Sequence, residues 1–169
     1  MGLFRKRRVQ RARGGGYDLA LLEQERELLV TLADQLTDLL RETTDDPAVR
    51  RLFPTAYHED AERDREYQQL VRDELLERRL ANLAVVQATA PAGTSLDEGQ
   101  LTSWLQAVND LRLVLGTRLD VSEDPIEIEA DDPELGVHLV YDYLSGVLAE
   151  IVEALEGDLP APTDDDPMA

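Results

Sequence analysis

The chain has 169 residues, with 36 acidic against 17 basic ones, a net charge of −19, two histidines and no cysteine. That length suits one domain with a sizeable core, and the missing thiols exclude cysteine nucleophiles, thiolate zinc sites and disulfides. Aromatic residues make up only 5%, so Leu, Val and Ala must do most of the packing, which favours helices over sheets.

The charge is unevenly placed. Arg5, Lys6, Arg7, Arg8, Arg11 and Arg13 crowd residues 1–13 with no acid among them, leaving eleven basic against 36 acidic residues beyond, a balance of −25. Such a body repels nucleic acid and anionic membranes, favours solubility, and offers an acidic face to a basic protein partner. Residues 1–16 read as a flexible basic arm ending in Gly14-Gly15-Gly16. No apolar core follows the arm, so it is not a secretory signal. Lys6 stands where an acylation motif needs Ser or Thr. No apolar run approaches the ~20 residues of a membrane span. These features predict a cytoplasmic protein without a span.

A single helical domain is expected over 17–157. Its first helix should cover 18–43, with Asp18 as N-cap and a wide stripe from Leu21 to Leu40. Asp45-Asp46-Pro47 ends it and opens a short helix over 47–52. Leu52-Phe53-Pro54-Thr55-Ala56-Tyr57 is a proline-bearing turn whose large apolar groups should plug the end of the bundle. A long helix over 59–90 follows, and its second half has apolar residues around the whole axis, as a central helix would. Ser95 with Glu98 forms a capping box for a helix over 96–119. Residues 120–132 are an acidic loop in which Ile126 and Ile128 alternate with Glu127 and Glu129, the pattern of a short strand. Asp132-Pro133 caps a last helix over 133–156, closed by Gly157, and the acidic tail 158–169 should be disordered. The expected fold is all-α: a compact antiparallel bundle of four long helices plus one short one.

Three charges fall inside apolar stripes. Helical projection puts Arg112 among Leu101, Trp104, Leu105, Val108, Leu111 and Leu115, and puts Glu74 and Arg78 among Tyr67, Leu70, Val71, Ala81 and Val85. Glu25 projects into the first stripe in the same way. A buried guanidinium cannot shed its proton, so it must be paired or stay wet. Glu25, Glu74, Arg78 and Arg112, with Asn109 at the stripe edge, therefore predict either a charge network that fixes helix register or a pocket for an anion. Gly116 beside them admits close approach of another backbone. Leu113 and Val114 point away from the main stripe and mark either a homodimer surface or a second internal contact.

Other chemistry is weakly supported. His58 with Glu62, and His138 with Asp142, are each one turn apart, but a carboxylate-bridged metal site needs Glu-x-x-His pairs, and none occurs. There is no nucleophile elbow, no phosphate-binding loop and no dinucleotide fingerprint. The pattern implies no cofactor, no metal, no catalytic residue and no enzyme.

Two stretches carry a family resemblance: Arg51-Leu52-Phe53-Pro54-Thr55-Ala56-Tyr57, and Trp104-Leu105 through Asn109-Asp110-Leu111-Arg112-Leu113-Val114-Leu115-Gly116-Thr117-Arg118-Leu119. They resemble the hallmarks of an actinobacterial family catalogued as a domain of unknown function, number two thousand and seventeen. The resemblance covers 17–155 and leaves the arm outside. It implies no established activity. It does imply a gene neighbourhood shared with the adaptor of the Clp protease, and some members bear the label of transcriptional regulator. The leading expectation is therefore a non-enzymatic interaction or regulatory protein linked to Clp-type proteolysis. The alternatives are a sensor of small anionic ligands built around Arg112, and a nucleic-acid-linked regulator that uses the arm.

Overall fold

The computed structural model describes residues 7–42, 46–53, 61–92, 95–118 and 134–157. The order is β1 (Val9–Arg11), β2 (Tyr17–Leu19), α1 (Glu23–Glu42), a 3-10 turn (Arg50–Leu52), α2 (Ala61–Thr89), α3 (Glu98–Arg118) and α4 (Leu135–Glu156). The chain is mostly helical, as expected, but it also contains a two-stranded antiparallel sheet that composition gave no reason to expect.

That sheet occupies much of the expected basic arm. Val9 pairs with Leu19, Gln10 with Asp18 and Arg11 with Tyr17. Alternation turns Val9, Tyr17 and Leu19 into the core, all nearly inaccessible, and puts Gln10 and Asp18 on the opposite face, while Arg11, at the exposed end of the inner face, reaches toward the end of α4. Tyr17 also exchanges two backbone bonds with Leu96, of 2.8 and 2.7 Å, so β2 is held on both edges. The glycine run is the hairpin loop, with Gly15 and Gly16 at positive φ. A Cβ on Gly16 would lie 2.8 Å from the Leu96 carbonyl oxygen, and Leu96 is pinned by its bonds to Tyr17. Gly16→Ala should therefore cost about 1–3 kcal/mol, whereas Gly14→Ala, at ordinary φ with open space around it, should leave the melting temperature unchanged. Thermal denaturation of the two variants checks this.

The helix boundaries have local causes. Residues 17–19 are strand, so Asp18 is not an N-cap and α1 starts five residues later than expected. Its first turn is closed from within: the Leu22 amide donates to Glu25 Oε2 at 2.8 Å, the reciprocal half of a capping box. The box on α3 lies two residues beyond Ser95. Gln100 N donates to Asp97 Oδ1 at 2.7 Å, and Asp97 N donates to Gln100 Oε1 at 3.0 Å. In place of a short α-helix over 47–52, the Asp46 carboxylate accepts from Ala48 N at 2.7 Å and starts a turn that tightens into the 3-10 element. Gly157 does close α4, its N–H donating to Glu153 O, but at ordinary negative φ.

Successive helices run antiparallel. Arg26 near the start of α1 donates to Ala90 O after α2 (2.7 Å), and the Trp104 indole donates to Thr89 Oγ1 at 2.8 Å. The central helix is α3 rather than the second half of α2: it packs on α2, α4, α1 and the 3-10 turn. Leu101, Trp104, Ala107, Val108, Asp110, Leu111, Val114 and Gly116 are all buried along it. Val114, expected to point away from the stripe, is therefore core. Gly116 admits close approach, but of the Tyr141 ring and not of a backbone: a Cβ there would sit 3.1 Å from Tyr141 Cε2.

By length and composition α4 could cross a membrane, with a mean hydropathy of 1.3 in its most apolar window. A core helix of a soluble protein passes the same test, so this leaves the expectation of no membrane span neither confirmed nor overturned. The run is easy to overlook because Asp142 and Glu150 interrupt it. One side of α4 packs on α3 and β1. Pro54, Tyr57, His58, the alternating Ile126–Glu129 segment and the tail 158–169 lie outside the described residues.

Candidate functional site

The expected charge network does not form as one cluster. Glu74 and Arg78 do pair, at 3.1 Å and i,i+4 spacing, but on the surface, with side chains 70% and 65% exposed. The stripe they were assigned to is the outer face of α2. Leu70 on it is 80% exposed, while α2 buries Leu83, Val86 and the following Ala90. A surface pair of this kind is worth little. Glu74→Ala should shift the melting temperature by no more than the scatter between preparations, and a large shift would contradict the placement.

Glu25 belongs to a different cluster, whose centre is Arg8, a residue sequence reasoning assigned to a flexible arm. The Arg8 Nε donates to Glu25 Oε1 at 2.6 Å and its Nη1 to Glu150 Oε1 at 3.3 Å, while its backbone N–H donates to Glu150 Oε2 at 2.8 Å. The guanidinium carbon stands 5.0 Å from the centroid of the Tyr143 ring, and Arg8 is nearly inaccessible. Burial alone would lower the Arg8 pKa. The hydrogen bond and charge of Glu25, with the charge of Glu150, more than reverse this and hold it above its ordinary value. Burial likewise works to raise Glu25, but the Leu22 amide and Arg8 outweigh it and hold the carboxyl below its ordinary value. One arginine thus ties β1 to α1 and α4. Around it Arg7 pairs with Glu153 at 3.2 Å, and Arg11 donates to Gly157 O at 3.3 Å. A signal was present in the sequence: Val9-Gln10-Arg11 and Tyr17-Asp18-Leu19 alternate about a glycine-rich loop, the mark of a hairpin.

A second buried charge sits where the two motif stretches meet. Asp110 is 1% exposed. Its Oδ1 accepts from Arg79 Nη1 at 2.5 Å, and Arg79 Nη2 donates to Leu52 O at 2.8 Å. The Phe53 ring lies under both Arg79 and Arg72, with centroids 5.8 and 5.5 Å from the guanidinium carbons. Burial pushes the Asp110 carboxyl above its ordinary value, and Arg79 offsets this only in part. Arg79 thus joins the 3-10 turn, α2 and α3. Projection assigned the buried charge to Arg112, two residues along. Arg112 is half-buried at the stripe edge beside half-buried Asn109, and its Nε is enclosed without a hydrogen-bond partner. Of the other motif residues, Trp104 and Phe53 are core, Gly116 is buried, and Arg51 and Arg118 are exposed.

A concavity lies elsewhere. A groove of about 350 Å³ opens between the last three turns of α1 and the last two of α3. Leu32, Leu39, Leu111 and Leu115 line its floor, with Asp38 and Glu42 on one rim and Arg118 on the other. His138 is buried and Asp142 exposed, so these two residues, one turn apart, do not share an environment.

Four antiparallel helices, closed at one end by an arginine-clamped N-terminal hairpin, define the class of protein. The chain belongs to the family described as "Domain of unknown function (DUF2017)", whose model matches residues 4–155. That match begins at Phe4 and so takes in the segment that the motif resemblance left out. No curated protein and no solved structure matches the chain.

Proposed function

We propose that this is a non-enzymatic interaction or regulatory protein of the cytoplasm that works by presenting an acidic surface to a basic protein partner. The observation that carries the reading is the sorting of charge. Arg8, Arg11, Arg26 and Arg79 are spent on partners within the fold, while acids such as Glu23, Glu27, Asp38, Glu42, Asp73 and Glu77 remain exposed. Arg8 and Arg79 also occupy Glu25, Glu150 and Asp110, so the surface keeps the strong negative balance of the sequence, and such a field steers and selects cationic partners. Actinobacterial origin and a link to Clp-type proteolysis enter through the family resemblance, and Clp components are the first partners to test. An affinity pull-down of the full chain from nuclease-treated lysate, read by mass spectrometry, should enrich one defined protein. An empty eluate would count against the reading.

Arg112 supports a second reading. Its enclosed Nε, beside Asn109, has no hydrogen-bond partner among the described residues, and a buried N–H donor without a partner calls for an acceptor such as an anion. A thermal-shift screen of nucleotides and carboxylates should then give a response that Arg112→Leu abolishes. The arm-based nucleic-acid reading is weaker, because Arg7, Arg8 and Arg11 point their charge at the protein itself.

A further inference from the structure

The hairpin shows what kind of segment this bundle accepts. At one end of α1 a short extended segment is seated by apolar side chains (Val9, Tyr17, Leu19) and by one cation held between the carboxylates of Glu25 and Glu150. The groove beside the other end of α1 repeats the ingredients without an intramolecular occupant among the described residues. Leu32, Leu39 and Leu115 are only half-buried, so the apolar stripe of α1 is wider than α2 and α3 cover. Asp38 and Glu42 stand one turn apart on its rim, both exposed. The volume suits one or two large apolar side chains rather than a whole enclosed ligand. An apolar floor with charge confined to the rim is the layout of a docking site for a peptide segment.

We propose that this groove seats a segment of a protein partner that carries a large apolar anchor next to Arg or Lys. The anchor lies on Leu39 and Leu115, the cation faces Asp38 and Glu42, and Arg118 takes a carboxylate from the far side of the segment and so sets its direction. The proposal rests on the interaction reading and adds to it a site and a partner chemistry.

The test is to pan a displayed library of random 12-residue peptides on the full chain, then measure binding of the selected peptide by fluorescence anisotropy. The selected sequences should share an apolar residue flanked by Arg or Lys. Their affinity should fall at least tenfold in Asp38→Lys/Glu42→Lys, and should stay within twofold in Asp73→Lys/Glu77→Lys, an equal charge change on the outer face of α2. The rim residues are exposed, so the reversal leaves the core intact, and matching melting temperatures would verify this. Selection of peptides without a cation, binding indifferent to the rim reversal, or no selection above background would each overturn the groove assignment. The interaction reading has its own readout: a partner recovered equally by the wild type and the rim variant in the pull-down leaves that reading standing while the groove assignment fails.

Discussion

Arg8→Ala should destabilise the protein by about 3–5 kcal/mol, the range for removing one partner of a buried ion pair. Three features place it there. The guanidinium is buried, with 9% of the side chain accessible, and its partners Glu25 and Glu150 are only 12% and 23% accessible, so solvent screens the pairs weakly. Truncation leaves two partly buried carboxylates without their cation, with the Leu22 amide as a backbone donor to Glu25 and the residue 8 amide as a backbone donor to Glu150. The substitution also releases β1 from α1 and α4, leaving Val9 and the inward face of the hairpin to hold by packing alone. In a domain of this size each kcal/mol corresponds to roughly 2–4 °C in melting temperature, so the loss is well outside experimental scatter. Arg7→Ala is the control: its pair with Glu153 is 65% and 56% exposed, and its removal should change little. If the two variants melted together, the hairpin would not be clamped as described.

The two buried carboxyls should respond to acid in opposite senses. Glu25 is held below its ordinary pKa, so its contribution is present above the unfolded value and is lost as pH falls through the folded one. Asp110 is raised, so its contribution is complete below the unfolded value and is lost as pH rises through the folded one. Urea unfolding between about pH 3 and about pH 7 separates them. The gap between wild type and Glu25→Gln should narrow toward the acid end. The gap between wild type and Asp110→Asn should narrow toward neutrality. Parallel curves across that range would contradict both shifts.

Helix content was legible because α1 and α4 each have a broad apolar stripe, and because Gly and Pro mark the ends. The errors share one physical origin. Projection assumes that a helix buries a single arc centred on its apolar residues. That holds for α1, which lies at the side of the bundle. It fails for α3, which is packed by four other elements: its buried arc extends past the apolar stripe to Asp110, and Arg112 is displaced to the edge. On α2 the error is reversed, because Leu70, Val71 and Val85 suggested a stripe on a face where Leu70 is exposed. Arg8 was misread because composition outweighed alternation. Six basic residues and three glycines look like a solvated arm, yet the period-two pattern of Val9-Gln10-Arg11 and Tyr17-Asp18-Leu19 was there to be seen. A single Arg with acids of α1 and α4 within reach is no longer a solvated charge, and such pairing in space cannot be read from one element at a time.

Asp110→Ala should cost about 3–5 kcal/mol for the same reason as Arg8→Ala, but its origin can be dissected further. Among the described residues the Asp110 carboxylate is the one group that neutralises Arg79 within hydrogen-bond distance, and Arg79 in turn holds the Leu52 carbonyl. Alanine removes the acceptor and leaves a cation enclosed over the Phe53 ring. Because burial already disfavours the charged Asp110, the pair itself is a weak source of stability, and most of the loss in the single variant comes from the stranded guanidinium. The double variant Arg79→Met/Asp110→Leu, which fills the space without charge, should therefore recover most of the loss. Buried pairs replaced by apolar residues of similar volume are often neutral or better. The Leu52 carbonyl, left without its donor, should keep recovery about 1–3 kcal/mol short of complete. Chemical denaturation of the wild type, both single variants and the double variant closes the cycle. A double variant as unstable as the sum of the singles would mean that the two side chains are energetically uncoupled, and would refute the account of the loss as a stranded guanidinium. A recovered double variant would instead identify Arg79 as a joint between the two motif stretches, Leu52-Phe53 and Asp110. The motif residues at that joint would then be accounted for by folding, and the search for a binding surface would move to the exposed rim of Asp38, Glu42 and Arg118.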